Sequence, residues 1–338
     1  MTEKSNRGIA IALKLLTIVF IICLTFLNPS ASLASGTLDR YSSYYLSQSD
    51  EEPKNGSIKV TFLGTTMLLF DDGETKVLLD GFITRLPLEN LSALQTDKAL
   101  VDSVLSRIGV DRLDALFAAH SHFDHALDVA YIAQQTGAQL YGSESTLNIG
   151  RGGDLPESQM TLYEVGKPVS IGQFNITVLP SKHSPPVAGI NDNLGVVIDK
   201  PLRQPANFYA YSEGGSFDFL IQHGDRAILV KPAANYIEGA WDDLRANVLF
   251  LSTGTLGDQD PAFREAFYEQ TVAQVKPQLV IPVHWDNFLL PLSESLVPLT
   301  DKDLTTSFDF LIERLSTDRI QFGIVQGYQN VMLFGDEK

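Results

Sequence analysis

The sequence predicts an α+β fold, a sheet-on-sheet core with helices on both outer faces, on three observations. Short β-rich runs separated by Gly and Asp turns fill two regions of the chain, one starting at Ile58 and one near residue 173. Segments of helical spacing alternate with these runs in both halves. With 338 residues, 44% of them apolar, the chain can bury two sheet layers at once. It has no low-complexity tract and no short repeat.

The chain opens with a targeting pattern. Lys4, Arg7 and Lys14 precede the uncharged run "LLTIVFIICLTFL", and "NPSASLAS" follows with small residues suiting a cleavage after Ala34. A basic start, a short apolar core and a small-residue site describe a signal peptide over residues 1–34. The alternative is an uncleaved anchor over residues 9–27. The expected location is therefore periplasmic or extracellular, or else the membrane surface through that anchor. Cleavage would remove Cys23, the only cysteine. An exported chain would then have no disulfide and no thiolate ligand, so any metal must be held by His, Asp or Glu.

Residues 35–56, rich in Ser, Tyr, Asp and Glu, read as a linker or a loosely packed arm. Residues 57–338 form the body. "IKVTFLG", "TMLLFDD" and "TKVLLDG" read as antiparallel hairpins. "DKALVDSVLSRI" has helical spacing with Asp97 as a cap. "LDALFAA" reads as a buried strand running into "HSHFDH", after which residues 126–135 read as helical, "AQLYG" as a strand and "SESTLNI" as a short helix. The second region holds "QFNITVLPSKHSPP", "ANFYAYSEG", "FDFLIQHGDRAILVKP", "NVLFLST" and "QLVIPVHWDNF", with helices near 261–274 and 301–314. "GTLGD" reads as a turn, since it lacks the Lys-Ser/Thr of a phosphate loop.

Three of the six histidines fall in "HSHFDH", residues 120–125. A strand ending in a loop can send His120 and His122 to one side, and the turn after it can bring Asp124 and His125 to an adjacent point. Imidazole nitrogen and carboxylate oxygen are both good zinc ligands. Four donors this close are awkward for one tetrahedral ion and natural for two.

His-x-His-x-Asp-His after a buried strand resembles the signature of the metallo-β-lactamase superfamily. The likeness extends over about residues 57–335. "VTFLGTTMLLFDDGETKVLLDG" is similar to its opening hairpins, with Asp80 at a strand end. "SKHSPP" supplies His183 after a strand, and "VIPVHWDNF" supplies His284 after a late one. The resemblance implies a four-layer αβ/βα sandwich and one or two Zn2+ ions per chain. One ion would be held by His120, His122 and His183, the other by Asp124, His125 and His284. Asp80 would either orient a histidine ligand or cap a turn. The sixth histidine, His223, sits beside a hairpin turn and reads as structural. Where most two-metal hydrolases of the superfamily carry a bridging Asp, "ILVKPAANY" offers Ala233 or Ala234. The remaining set resembles that of zinc β-lactamases with three His on one metal and Asp-His-His on the other. The opening hairpins and "FLIQHGDRAILV" also resemble, more loosely, the branch with L-ascorbate-6-phosphate lactonase and N-acyl-phosphatidylethanolamine phospholipase D. Diiron flavoproteins have Glu where His122 stands.

The implied chemistry is hydrolysis of an ester, lactone, amide or phosphodiester by metal-activated water, with Asp124 orienting that water and carrying a proton. The alternative is a degenerate fold that binds metal or ligand without turnover, favoured by the missing Asp. A formal charge of −16 argues against a nucleic-acid partner, and the partner the hydrolase reading implies is a small-molecule substrate. Tyr236, Trp241, Trp285 and Phe288 flank these strands as pocket or core residues.

Overall fold

The computed structural model describes residues 37–54, 56–186 and 192–335. The signal-peptide and anchor segments and Cys23 lie outside these residues. Among the described residues no helix is long and apolar enough to cross a membrane.

Two seven-stranded sheets face each other. The first contains β1 (Ile58–Phe62), β2 (Leu68–Asp71), β3 (Lys76–Leu79), β4 (Ala115–Phe117), β5 (Gln139–Gly142) and β6 (Met160–Leu162). The second contains β7 (Pro168–Ile171), β8 (Phe174–Pro180), β9 (Phe217–His223), β10 (Arg226–Lys231), β11 (Val248–Ser252), β12 (Leu279–Val283) and β13 (Gln321–Phe322). The last strand, β14 (Asn330–Leu333), returns to pair antiparallel with β1 and completes the first sheet.

Each sheet is antiparallel over its hairpins and parallel beyond them. β1–β2–β3 and β7–β8–β9–β10 are antiparallel, whereas β3 to β6 and β10 to β13 run parallel. Parallel neighbours need crossovers, and helices supply most of them. These are α1 (Lys98–Arg107), α2 (Phe123–Ala126), α3 (Val129–Thr136), α4 (Glu144–Gly152), α5 (Pro261–Gln270), α6 (Val272–Val275) and α7 (Asp301–Asp318). The side chain of Asp97 caps α1 by accepting from Leu100 N at 3.0 Å, as the sequence predicts.

Strand alternation explains the four layers. Leu68, Phe70, Val77, Leu79, Ala115 and Phe117 point into the core between the sheets, against Phe174, Ile176, Phe219 and Ile221. Leu69, Leu78 and Leu116 point the other way, under Val101, Val104 and Ile132 of the outer helices. A strand apolar on both faces must be covered on both faces.

Two local expectations differ. Residues 37–46 are not loose: Leu38 and Tyr41 are buried, Tyr41 meets Phe308 of α7 edge-on at 5.3 Å, and its hydroxyl donates to Asp309 at 2.8 Å. "ANFYAYSEG" forms no strand, because the Asn207 side chain accepts from Tyr209 N and closes a 3-10 turn at Phe208–Ala210.

Candidate metal centre

Three strand ends build the site. β4 of the first sheet leads through Ala118 and Ala119 into His120, β8 of the second leads into His183, and β12 leads directly into His284. His122 is the extended residue at the start of α2, and Asp124 and His125 occupy its first turn. The Ser121 hydroxyl ties this loop down by donating to Ser212 O at 2.5 Å.

The six residues separate into two triads. His122 Nδ1 lies 3.1 Å from both His120 Nε2 and His183 Nε2. Asp124 Oδ2 lies 3.5 Å from His125 Nε2 and 3.3 Å from His284 Nε2, and those two nitrogens are 3.3 Å apart. Donors bound tetrahedrally at zinc bond lengths stand roughly 3.3 Å from one another. His120 belongs to both neighbourhoods, because its ring centroid is 3.9 Å from that of His125.

Hydrogen bonds to neighbouring oxygens fix the tautomers of His122, His183 and His125. His122 Nε2 donates to Asp192 O at 2.7 Å, and His183 Nδ1 donates to Ser184 O at 2.9 Å. Both therefore turn unprotonated nitrogens toward each other. His125 Nδ1 donates to Asp80 Oδ2 at 2.8 Å, leaving Nε2 free toward Asp124 and His284. The facing lone pairs of His122 and His183 repel, and a cation between them removes the repulsion. The donor set thus fits metal.

Electrostatics keeps His120 and His183 of the first triad neutral and favours a proton on His125 until a cation replaces it. Burial, and then the neighbouring imidazoles, hold His120 well below its ordinary value. Burial first, then His122, pushes His183 down to about 4. Burial alone would raise the Asp124 carboxyl, but His125 and His284 hold it well below the usual carboxylate range. Burial would likewise lower His125, but the carboxylates of Asp124 and Asp80 raise it.

Asp80 is fully buried and uses both oxygens. Oδ1 accepts from Ala119 N at 2.7 Å, and Oδ2 accepts from His125 and from the Thr66 hydroxyl. It orients a histidine and also braces the loop before His120. Ala233 and Ala234 are buried beside the site: Ala234 N donates to Ser184 Oγ at 2.8 Å, and Asn235 Nδ2 donates to His183 O at 2.7 Å. No carboxylate stands there. His223 is elsewhere, 3.0 Å from Asp72 Oδ2 and against the Phe174 ring. Trp241 and Trp285 are core, Tyr236 packs on Phe263, and Phe288 alone of the four aromatics reaches the site, 5.9 Å from the His284 ring. A cavity of about 260 Å³ lies away from this centre, lined by Lys59, Asp71, Lys76 and Arg107.

Residues 75–285, more than half of the chain, match the beta-lactamase superfamily domain. A UPF0173 metal-dependent hydrolase from Roseiflexus castenholzii is 24% identical over 217 residues, covering 64% of this chain and 77% of the relative. A second, from another Roseiflexus, is 24% identical over 231 residues, covering 68% and 83%. Among solved structures, Igni18, a metallo hydrolase from Ignicoccus hospitalis, superposes with a TM-score of 0.51 at 16% identity, over 83% of this chain and 100% of its own. Isothiocyanate hydrolase from Delia radicum gut bacteria gives 0.51 at 12%, over 81% and 98%. The paired sheets, the outer helices and the family match together place the chain in the metallo-β-lactamase superfamily, as a metal-dependent hydrolase.

Proposed function

We propose that this hydrolase holds up to two zinc ions and cleaves an ester, lactone, amide or phosphodiester bond in a small molecule. The observation that carries the reading is the convergence of five imidazole nitrogens and the Asp124 carboxylate on two points about one ligand shell wide. A sulfur-free N/O set of this kind suits zinc. Bound zinc lowers the pKa of water to about 7 and polarises the oxygen of the scissile group.

The chain's own residues do the rest. His120, His122 and His183 form the tighter half-site, since no carboxylate at position 233 supports the other. Asp124, kept ionised by His125 and His284, would orient the attacking water and relay a proton to the leaving group. Asp80 keeps His125 in the tautomer that leaves Nε2 available.

The alanines at 233 and 234 favour a second reading, a fold that binds metal without turnover. Metal analysis of zinc-replete protein together with a broad hydrolase substrate screen separates the two. Zinc with turnover that is lost in His120→Ala supports the hydrolase. Zinc without turnover on any ester, lactone, amide or phosphodiester supports the second reading. The N-terminal pattern supports export, and a mature form beginning near Ser35 outside the cytoplasm is the expected product. A full-length, membrane-retained species would favour the anchor.

A further inference from the structure

A buried ion pair stands next to the second triad without belonging to it. The side chains of Arg85 and Asp286 are 1% and 0% exposed, with Arg85 Nη1 donating to Asp286 Oδ2 at 2.7 Å. Asp286 is two residues past His284. Its other oxygen, Oδ1, accepts from Thr65 N at 2.7 Å, while Thr65 O accepts from His284 N at 2.7 Å. Residues 284–286 are thus pinned at both ends to one residue of the β1–β2 turn. The same turn reaches the other histidine of the triad, because the Thr66 hydroxyl contacts His125 Nδ1 at 3.1 Å and donates to Asp80.

His284 needs this restraint. It sits at φ 58° and Thr65 at φ 47°, in the left-handed region that residues with a Cβ rarely adopt. Such a conformation persists where its surroundings over-determine it. Release of His284 toward ordinary backbone angles would swing its imidazole away from Asp124 and His125. Gly64, at φ +78°, makes the clamp possible: a Cβ there would stand 2.1 Å from Arg85 Nη2 and 2.8 Å from Asp286 Oδ2. Arg85 is itself firmly mounted. Asp128 Oδ2 accepts from both Ile83 N and Thr84 N at 2.7 Å, fastening the segment before Arg85 to the start of α3.

We propose that the Arg85–Asp286 pair and the Gly64–Thr66 turn form a positioning device that holds His284 for the second metal, a task made necessary by the missing carboxylate at position 233. Arg85 and Asp286 are positioning residues: neither is among the six donors. The inference rests on the two-ion reading above.

The test is a metal titration of the full chain with cobalt(II), read by absorbance, and with zinc, read by calorimetry. Breaking one partner alone leaves a buried unpaired charge, so the main variant replaces both, Arg85→Met with Asp286→Leu, which a fold tolerates far better. The thermal midpoint is recorded alongside. The matched control removes another buried pair, Lys231→Met with Asp218→Leu, whose side chains are both 2% exposed. The proposal expects second-ion affinity to fall at least about tenfold in the first double variant, with first-ion affinity unchanged and the cobalt spectrum of the second ion altered. It expects the control to keep second-ion affinity. Gly64→Ala, which pushes on the same clamp, should weaken the second ion as well. Two ions bound by every variant with unchanged affinities overturn the proposal alone. Equal weakening in the control means general loosening and also overturns it. A native chain that binds no second ion overturns both the proposal and the two-ion reading.

Discussion

Asp80→Asn tests how far metal binding depends on a residue that touches no metal. The side chain is buried, and Oδ2 takes the Nδ1 proton of His125 at 2.8 Å and the Thr66 hydroxyl proton, while Oδ1 takes the Ala119 amide at 2.7 Å. Asparagine keeps the shape. With its carbonyl on Ala119 N, its amide N–H2 faces His125 Nδ1 and Thr66. Two donors then face each other unless the imidazole moves its proton to Nε2, the nitrogen aimed at Asp124 and His284. The loss is one charge-assisted hydrogen bond in a buried place, about 1.5–3 kcal/mol. Expressed as affinity, that is about ten- to a hundredfold, in the range expected for partners of metal ligands. The assay is a zinc titration by calorimetry on metal-stripped protein, with folding followed by circular dichroism. Second-ion affinity should fall by that factor, and the triad of His120, His122 and His183 should keep its ion. A folded Asp80→Asn protein that binds both ions as tightly as the native chain would refute the reasoning about the tautomer.

Other substitutions separate the parts of the account. His120→Ala should abolish turnover and lower the zinc count, whereas His223→Ala should lower the thermal midpoint through loss of the Asp72 contact and leave zinc content unchanged. In metal-free protein, His183 titrates at about 4 when folded against an ordinary 6.5, so the unfolded chain takes the proton first as pH falls. Its contribution to stability is full above about pH 6.5 and is lost toward pH 4, up to about 3 kcal/mol; urea unfolding at several pH values should show a weaker acid loss in His183→Asn. Ala233→Asp adds one oxygen donor beside His183 and should tighten the second ion in a calorimetric titration, without necessarily raising turnover. Unchanged second-site affinity would show that position 233 does not face the metals.

Much of the fold was legible because strand and helix periods are strong local signals. Val77, Leu78 and Leu79 read as an apolar strand, and the structure divides them between the two cores. Asp97 announces α1 because an N-cap is a local device. The arm around Tyr41 was not legible: its partners, Phe308 and Asp309, lie more than 260 residues away, and a Ser- and Tyr-rich stretch carries no period. The histidine cluster is dense enough to stand out in the sequence, and the structure brings His183 and His284 to it from two other strand ends. The clamp was missed. Arg85 and Asp286 look like ordinary surface charges in a loop, and Thr65 and Thr66 look like turn residues. Only the approach of three distant segments shows that these polar groups are buried against one another. The one available signal was "LGTTM", a turn with two Thr where solvent-facing turns favour Asn or Asp.

The most direct measurement is anomalous X-ray scattering at the zinc edge from crystals of zinc-replete protein. The account predicts two peaks per chain: one bonded to His120 Nε2, His122 Nδ1 and His183 Nε2, the other to Asp124 Oδ2, His125 Nε2 and His284 Nε2. A zinc-replete crystal with no peak among these six residues, or with zinc only at other sites, would contradict it.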